Sequence, residues 1–344
     1  MNTETELNTL DTWNDRMKKT RVLHWDGRLD NRTDLLLLLA DSLRDDTSNA
    51  AIALATYERW GTNGFVHLIG DWSVVIEDHA NGATVLASDF AGVRPLYYSV
   101  QRGDVFWSSR LQSVVDATGI SELDEKYIGA FLLYGGCPNR TPYKGIHSVP
   151  AGHAVCVSST GTKIARFWNL PVRDEVHYRN QHRYEEHLRA LFREAVSVRL
   201  QTEAPVLAEL SGGLDSSSVV SMANHLMRSC AVPAKSLTSV GYVWRDSLDE
   251  PFIREMESFC GIKGVHISTH YAPLISETAV GNTQPEIQQP LRRSVALLSH
   301  QLGAKVLLTG QNGDLMMGNW FDDSLQLSAL LSRFRMARAF SDNK

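Results

Sequence analysis

Apolar and polar positions change their rhythm halfway along this chain. In the first half, residues 35–43 and 50–60 have helical apolar spacing, with Asn31 and Thr33 as candidate caps for the first stretch. Segments 65–77, 83–88, 96–99 and 105–108 are short, rich in β-formers and separated by Gly, Asn, Asp and Pro, which predicts a meander of antiparallel strands. Residues 137–150 read as loop, and 154–157 with 163–168 as a closing hairpin. The polar stretch 169–180, with Pro171 near its start, reads as a linker. The second half alternates, with helices predicted over 184–200, 217–227, 250–259 and 292–302 and strands over 206–210, 235–241, 265–270 and 306–309. Alternation of this length predicts a parallel α/β sheet with right-handed crossovers, whose ligand sits beyond the carboxyl ends of the strands. A last helical pattern spans 324–340.

Chemistry concentrates at one junction of strand and helix, Ser211-Gly212-Gly213-Leu214-Asp215-Ser216-Ser217-Ser218. Strand, glycine turn and helix make an anion site, because backbone N–H groups and the helix dipole both face the turn. Gly212 and Gly213 allow close backbone approach, and the hydroxyls of Ser211, Ser216 and Ser217 add donors. Asp215 would repel phosphate unless a divalent cation stood between them, so the site reads as a nucleotide triphosphate with magnesium. A plain helix-capping turn, with Asp215 as a dipole partner, is the competing reading. The Gly-Lys-Ser/Thr ending of a Walker loop is absent, as is the spaced-glycine dinucleotide pattern. The octet resembles the pyrophosphate loop of the N-type ATP pyrophosphatases, which cleave ATP between its α- and β-phosphates and adenylate an oxygen of the substrate.

A second strand–turn follows at Leu307-Leu308-Thr309-Gly310-Gln311-Asn312-Gly313-Asp314. Asp215 and Asp314, at two strand ends, can jointly hold Mg²⁺ against a pyrophosphate. The competing reading is a simple β-turn with Asp314 exposed. The two turns together resemble the asparagine synthetase family, and Ser247-Leu248-Asp249-Glu250 resembles the Asp-Glu helix start that the family carries between them. The resemblance implies that Ser211, Gly212, Gly213, Leu214, Asp215, Ser216, Ser217, Thr309 and Gly310 bind ATP, that Asp215 and Asp314 bind Mg²⁺, and that Asp215, Asp314 and Gln311 form the catalytic set. Two positions depart from the family: Gln311 stands for its common Glu, and Leu315 follows Asp314 where it commonly has a second acid. A glutamine carries no charge and abstracts no proton.

The first half carries further matches. Asp26-Gly27-Arg28-Leu29-Asp30-Asn31, Gly70-Asp71-Trp72-Ser73-Val74-Val75 and Ala87-Ser88-Asp89-Phe90-Ala91-Gly92-Val93-Arg94-Pro95-Leu96-Tyr97-Tyr98 resemble stretches of that family's glutamine amidotransferase domain. That domain hydrolyses glutamine with an N-terminal cysteine, whereas this chain has Asn2 and no cysteine before Cys137. Asp26 stands where an oxyanion-hole amide belongs, and Asn49 replaces the acid that holds the α-amine of glutamine. Glutamine chemistry is therefore expected to be lost. The strands that normally precede the Asp-Gly-Arg segment are expected to be missing, and the synthetase half to be short at its C-terminus.

Bulk properties narrow the partners. A chain of 344 residues is expected to form two domains, since single cores stop growing near ~250 residues. At 43% hydrophobic and 21% charged residues with a net charge of −5, it shows an ordinary globular composition and no basic footprint for nucleic acid. No apolar run is long enough for a signal peptide or a membrane span, so a cytoplasmic protein is expected. The four cysteines lack metal spacing and read as ordinary buried thiols. His266 and His270 share a strand face, a weak basis for a metal site.

The resemblance thus implies an incomplete N-terminal α+β sandwich of the αββα Ntn type over residues 20–168, a degenerate glutamine amidotransferase-like domain. After it comes an α/β domain of the ATP pyrophosphatase, adenine nucleotide α-hydrolase-like kind over residues 182–344. The implied activity is an ATP-dependent amide ligase that adenylates a carboxylate, releases pyrophosphate and admits an amine. A ring-closing lactam synthetase or lasso-peptide cyclase, and a non-catalytic paralogue, are the alternatives. Expected partners are a small-molecule or peptide carboxylate and an amine, with homodimerisation left open and neither nucleic acid nor membrane involved.

Overall fold

The computed structural model describes residues 11–14, 21–43, 46–134, 137, 139–170, 176–244, 247–268 and 289–314. The chain divides into two compact units, residues 1–177 with 274–289, and residues 178–273 with 290–344.

In the first unit, β1 (Asp11–Asn14) pairs antiparallel with β2 (Arg21–Leu29). A strand therefore does precede the Asp-Gly-Arg segment, which itself lies within β2. Two helices follow, α1 (Arg32–Leu38) and α2 (Asn49–Trp60). The Ser48 hydroxyl accepts from the Ala51 N–H at 3.2 Å, fixing the start of α2. Asn31 occupies the cap position of α1 without capping it. Its amide instead donates to the His67 carbonyl at 3.0 Å and accepts from the Ile69 N–H at 3.1 Å.

The strand expected over 65–77 begins only at Gly70. Gly61–His67 form a 3₁₀ helix that inserts Phe65 against Trp72. Strands β3 (Gly70–Asp78) and β4 (Ala83–Ser88) continue the meander, but β5 (Tyr97–Gln101) and β6 (Asp104–Ser108) leave it for a separate sheet. Helices α3 (Leu111–Thr118) and α4 (Glu125–Tyr134) were not expected from the periodicity. β7 (His147–Ser148) is a two-residue strand within the loop-rich region, and β8 (His153–Ser158) with β9 (Gly161–Arg166) forms the expected hairpin.

The larger sheet runs β1-β2-β3-β4-β8-β9 and the smaller one β6-β5-β7. One face of the larger sheet buries Leu23, Trp25, Trp72, Val74 and Ile76 against Leu35 of α1 and Ile52 of α2. Its other face packs Val75, Leu86 and Val155 on Leu96 and Tyr98. Beyond these, Tyr97 and Phe106 pack on Leu111 and Val114 of α3. The layers are therefore helix, sheet, sheet, helix, as alternating side chains of a twice-covered sheet require.

The second unit opens with α5 (Gln181–Arg199), whose cap Asn180 accepts from the His182 N–H at 3.0 Å. There follow β10 (Val206–Glu209), α6 (Leu214–Arg228), β11 (Leu237–Val243), α7 (Glu250–Cys260), β12 (Lys263–Ser268), α8 (Gln289–Leu302) and β13 (Val306–Leu308). The sheet is wholly parallel, in the order β12-β11-β10-β13. Val220 of α6 and Ile253 of α7 join Val206 and Ala208 on one face, while Val295 of α8 joins Leu207 and Val240 on the other. The chain moves from β10 outward through β11 to β12, then returns to the opposite side of β10 as β13. That reversal opens a crevice at the carboxyl ends of β10 and β13. The helical pattern at 324–340 lies outside the described residues.

Candidate active site

Helix α6 begins at Leu214, three residues earlier than its apolar spacing suggests, so Asp215 and Ser216 lie in its first turn. No side chain caps it, and its first N–H groups have no partner within the helix. Gly212 takes a left-handed φ of +83°. A Cβ there would stand 2.9 Å from Cβ of Phe252 and 3.1 Å from the Asp249 carbonyl, so glycine is required for both conformation and space. Ser216 is buried and braces the loop: its hydroxyl accepts from the Ser211 N–H at 3.2 Å, shares a hydrogen bond with Ser211 Oγ at 3.0 Å and lies 3.3 Å from the Gly213 carbonyl. The Ser217 hydroxyl is enclosed without a partner among the described residues, an orphan donor beside an open helix end.

The second turn closes onto the first. A Cβ on Gly310 would stand 2.6 Å from the Ser216 backbone nitrogen, and one on Gly313 2.3 Å from Cγ of Asp215. The Asp215 carboxylate thus lies over the backbone next to Asp314, which is itself partly buried and engaged with its surroundings. Two acids at this separation in sequence and proximity in space, beside open N–H groups, suit a hard cation facing phosphate. Thr309 and Gln311 are exposed, and Asn312 turns the chain at φ +67°. The contact of Gly212 with Asp249 and Phe252 brings in the third motif, since Asp249 precedes α7 and Glu250 begins it. Three separated stretches therefore meet at one crevice.

Sequence reasoning overlooked another pair there. The Tyr242 hydroxyl donates to Glu209 Oε1 at 2.6 Å. Burial, then the Glu209 carboxylate, push the Tyr242 phenol well above its usual range, with Arg292 opposing. The available signal was a lone carboxylate closing an otherwise apolar strand, Val206-Leu207-Ala208-Glu209.

Other expected features resolve differently. His266 Nε2 lies 3.0 Å from Glu257 Oε1, to which the Ser239 hydroxyl donates at 2.7 Å. His270 lies outside the described residues, among which no group of three or more metal-ligating side chains occurs. Of the thiols, Cys260 is buried, Cys137 and Cys156 are partly buried and Cys230 is exposed, so the expectation of buried thiols holds fully only at Cys260. In the first unit, Asp26 Oδ1 lies 3.9 Å from Arg94 Nη1, and Asn49 accepts from Arg32 Nη1 at 2.9 Å. The loop carrying Arg94 is pinned by the buried Asp89, which accepts from the Trp72 N–H at 3.0 Å and the Ala91 N–H at 2.8 Å. Burial raises the Asp89 pKa above the usual carboxylate range in spite of these bonds. Among the described residues no helix is long and apolar enough to cross a membrane.

Two family models match in succession, a glutamine amidotransferase domain at residues 16–168 and asparagine synthase at residues 187–342. Each half of the chain thus matches one of the two domains of the asparagine synthetase type. The chain is 28% identical to asparagine synthetase [glutamine-hydrolyzing] 3 of Bacillus subtilis, over 75% of this chain and 43% of that protein. It is 27% identical to the amidase chyE of Penicillium rubens, over 78% of this chain and 42% of that one. The chain thus spans less than half the length of either relative. Among solved structures, a glutamine phosphoribosylpyrophosphate amidotransferase from B. subtilis complexed with ADP and GMP aligns at a TM-score of 0.35 and 15% identity, over 91% of this chain and 76% of that one, too low a likeness to bear on the fold.

Proposed function

We propose that the second unit is an ATP-dependent amide ligase centre of the asparagine synthetase type, built on a sheet of the ATP pyrophosphatase kind. The observation that carries this reading is the closure of Gly310 and Gly313 onto Ser216 and Asp215. It turns two anion-binding turns into one pocket at the switch point of the sheet. The phosphates of ATP lie on the loop from Ser211 to Ser217, where the open N–H groups of α6 and the Ser217 hydroxyl donate to them. Asp215 and Asp314 would hold Mg²⁺, whose charge would offset that of the phosphates. A substrate carboxylate attacks the α-phosphorus to give an acyl-adenylate, and an amine then displaces AMP.

The first unit supports a narrower reading of the amine. A carboxylate at Asp26, paired with Arg94, opposes an oxyanion instead of stabilising it. Asn49, engaged by Arg32, offers no charge to an α-amine. We therefore place the glutaminase half as inactive and the amine as one that glutamine does not supply. This favours, as second reading, a ring-closing ligase in which the amine belongs to the same molecule as the carboxylate.

Pyrophosphate release from Mg·ATP, measured with and without L-aspartate and then with amino-carboxylate substrates, tests both. Carboxylate-dependent release supports the ligase. No release with any of them leaves a non-catalytic paralogue.

A further inference from the structure

The crevice has a second wall. Side chains alternate along β10, so Glu209 belongs with Leu207 to the face covered by α8, opposite the phosphate-loop helix α6. Tyr242, two residues beyond Val240 on β11, shares that face. Glu209 is the last residue of its strand, two before Ser211, and its strand lies between β11 and β13. It therefore borders the mouth of the crevice opposite the pyrophosphate side. Tyr242 holds one carboxylate oxygen at 2.6 Å, and no hydrogen bond or ion pair to another described residue engages the second.

A carboxylate half-buried at a sheet end is a costly choice if only packing is served, since a glutamine would accept the same phenol hydrogen bond without a charge to desolvate. A ligase needs such a charge. An amine approaching an acyl-adenylate carries protons that must go somewhere, and Gln311 takes none.

Building on the ligase reading, we infer that Glu209 is the carboxylate that receives the incoming amine, with Tyr242 as its positioning residue. Glu209 Oε2 accepts an N–H of the bound amine. The nitrogen lone pair forms the C–N bond at the acyl carbon, the bond from that carbon to the phosphate oxygen breaks with its electron pair leaving on AMP, and the released proton passes to Glu209. The substrate class follows: a primary amine or ammonia small enough to reach the end of β10.

The test uses the whole chain with Mg·ATP, L-aspartate and ammonium chloride, following pyrophosphate and asparagine separately. Glu209→Gln is expected still to release a first equivalent of pyrophosphate per chain in a single turnover, with the acyl-adenylate accumulating, while amide formation falls ~10²-fold, the usual worth of a lost proton acceptor. Tyr242→Phe is expected to raise the KM for ammonium several-fold and to leave the KM for ATP unchanged, a split that general loosening of the sheet would not produce. Amide formation at the unmodified rate in Glu209→Gln overturns the assignment. So does loss of the first-turnover pyrophosphate together with the amide, which would make Glu209 structural. If the unmodified chain releases no pyrophosphate with aspartate or with any amino-carboxylate substrate, the ligase reading itself falls, and the assignment falls with it.

Discussion

The carboxylate of Asp215 rests on the backbone of Gly313, so closely that a single added methyl group would stand 2.3 Å from its Cγ. Real Cβ atoms do not approach that far, and Asp215 must swing away if the position gains a side chain. Gly313→Ala is therefore expected to weaken Mg·ATP binding at least tenfold, as displacement of a metal-supporting group typically does. Asp215 lies in the first turn of α6 and neither residue belongs to the buried apolar cluster of that unit, so the melting temperature should change little. Calorimetry decides: an unchanged affinity would remove the coupling between the two turns.

Asp215→Ala probes the same contact from the other side. The side chain is partly exposed in the first turn of α6 and outside the buried apolar cluster of that unit. Loss of Mg·ATP affinity by at least ~10-fold with retained circular dichroism is expected. Unaltered nucleotide binding would exclude a metal role for this residue.

Gln311 lies exposed at the tip of the second turn, beside the residues that close the pocket. Restoring the acid that the family commonly has there, Gln311→Glu, is expected to raise pyrophosphate release, by up to the ~10²–10⁴-fold typical of general-base assistance. A variant no faster than the unmodified chain would show that adenylation here does not use this position.

Acid stability of the first unit has a local source. The His24 imidazole, 3.6 Å from Glu77 and tilted at 52° against the Trp107 ring, holds the Glu77 carboxyl below its ordinary range despite partial burial. Because folding favours the ionised form, this carboxylate adds stability above its unfolded pKa of about 4.3, and the contribution fades as pH falls through the lower folded value. Thermal melts between about pH 5 and about pH 3 should fall less steeply for Glu77→Gln than for the unmodified chain. Parallel curves would assign the acid loss to other groups.

Glutamine should yield no glutamate above the buffer rate. On the proposed reading, Asp26, 3.9 Å from Arg94, sets a carboxylate where an oxyanion would need a donor. Glutamate release by protein freed of contaminating glutaminase would overturn the reading of the first unit.

What the chain reveals by itself is local. The octet from Ser211 to Ser218 announces strand, turn and helix because glycine freedom, serine donors and the following apolar spacing act within a few residues. The hairpin of β8 and β9 and the alternation of the second unit are legible for the same reason.

Long-range relations needed the tertiary structure. Phe65 looks like the start of a strand until its packing on Trp72 shows why the chain winds as a 3₁₀ helix first. α3 is too short for its spacing to stand out, and its apolar side becomes meaningful only against Tyr97 and Phe106. Gly313 is an ordinary turn glycine in the sequence, and Glu209 an ordinary acid. Strand order and register set one beneath Asp215 and the other beside Tyr242, across intervals of 98 and 33 residues. Periodicity says which face a side chain takes. Only the pairing of strands, which depends on the packing of both faces at once, decides what it meets there.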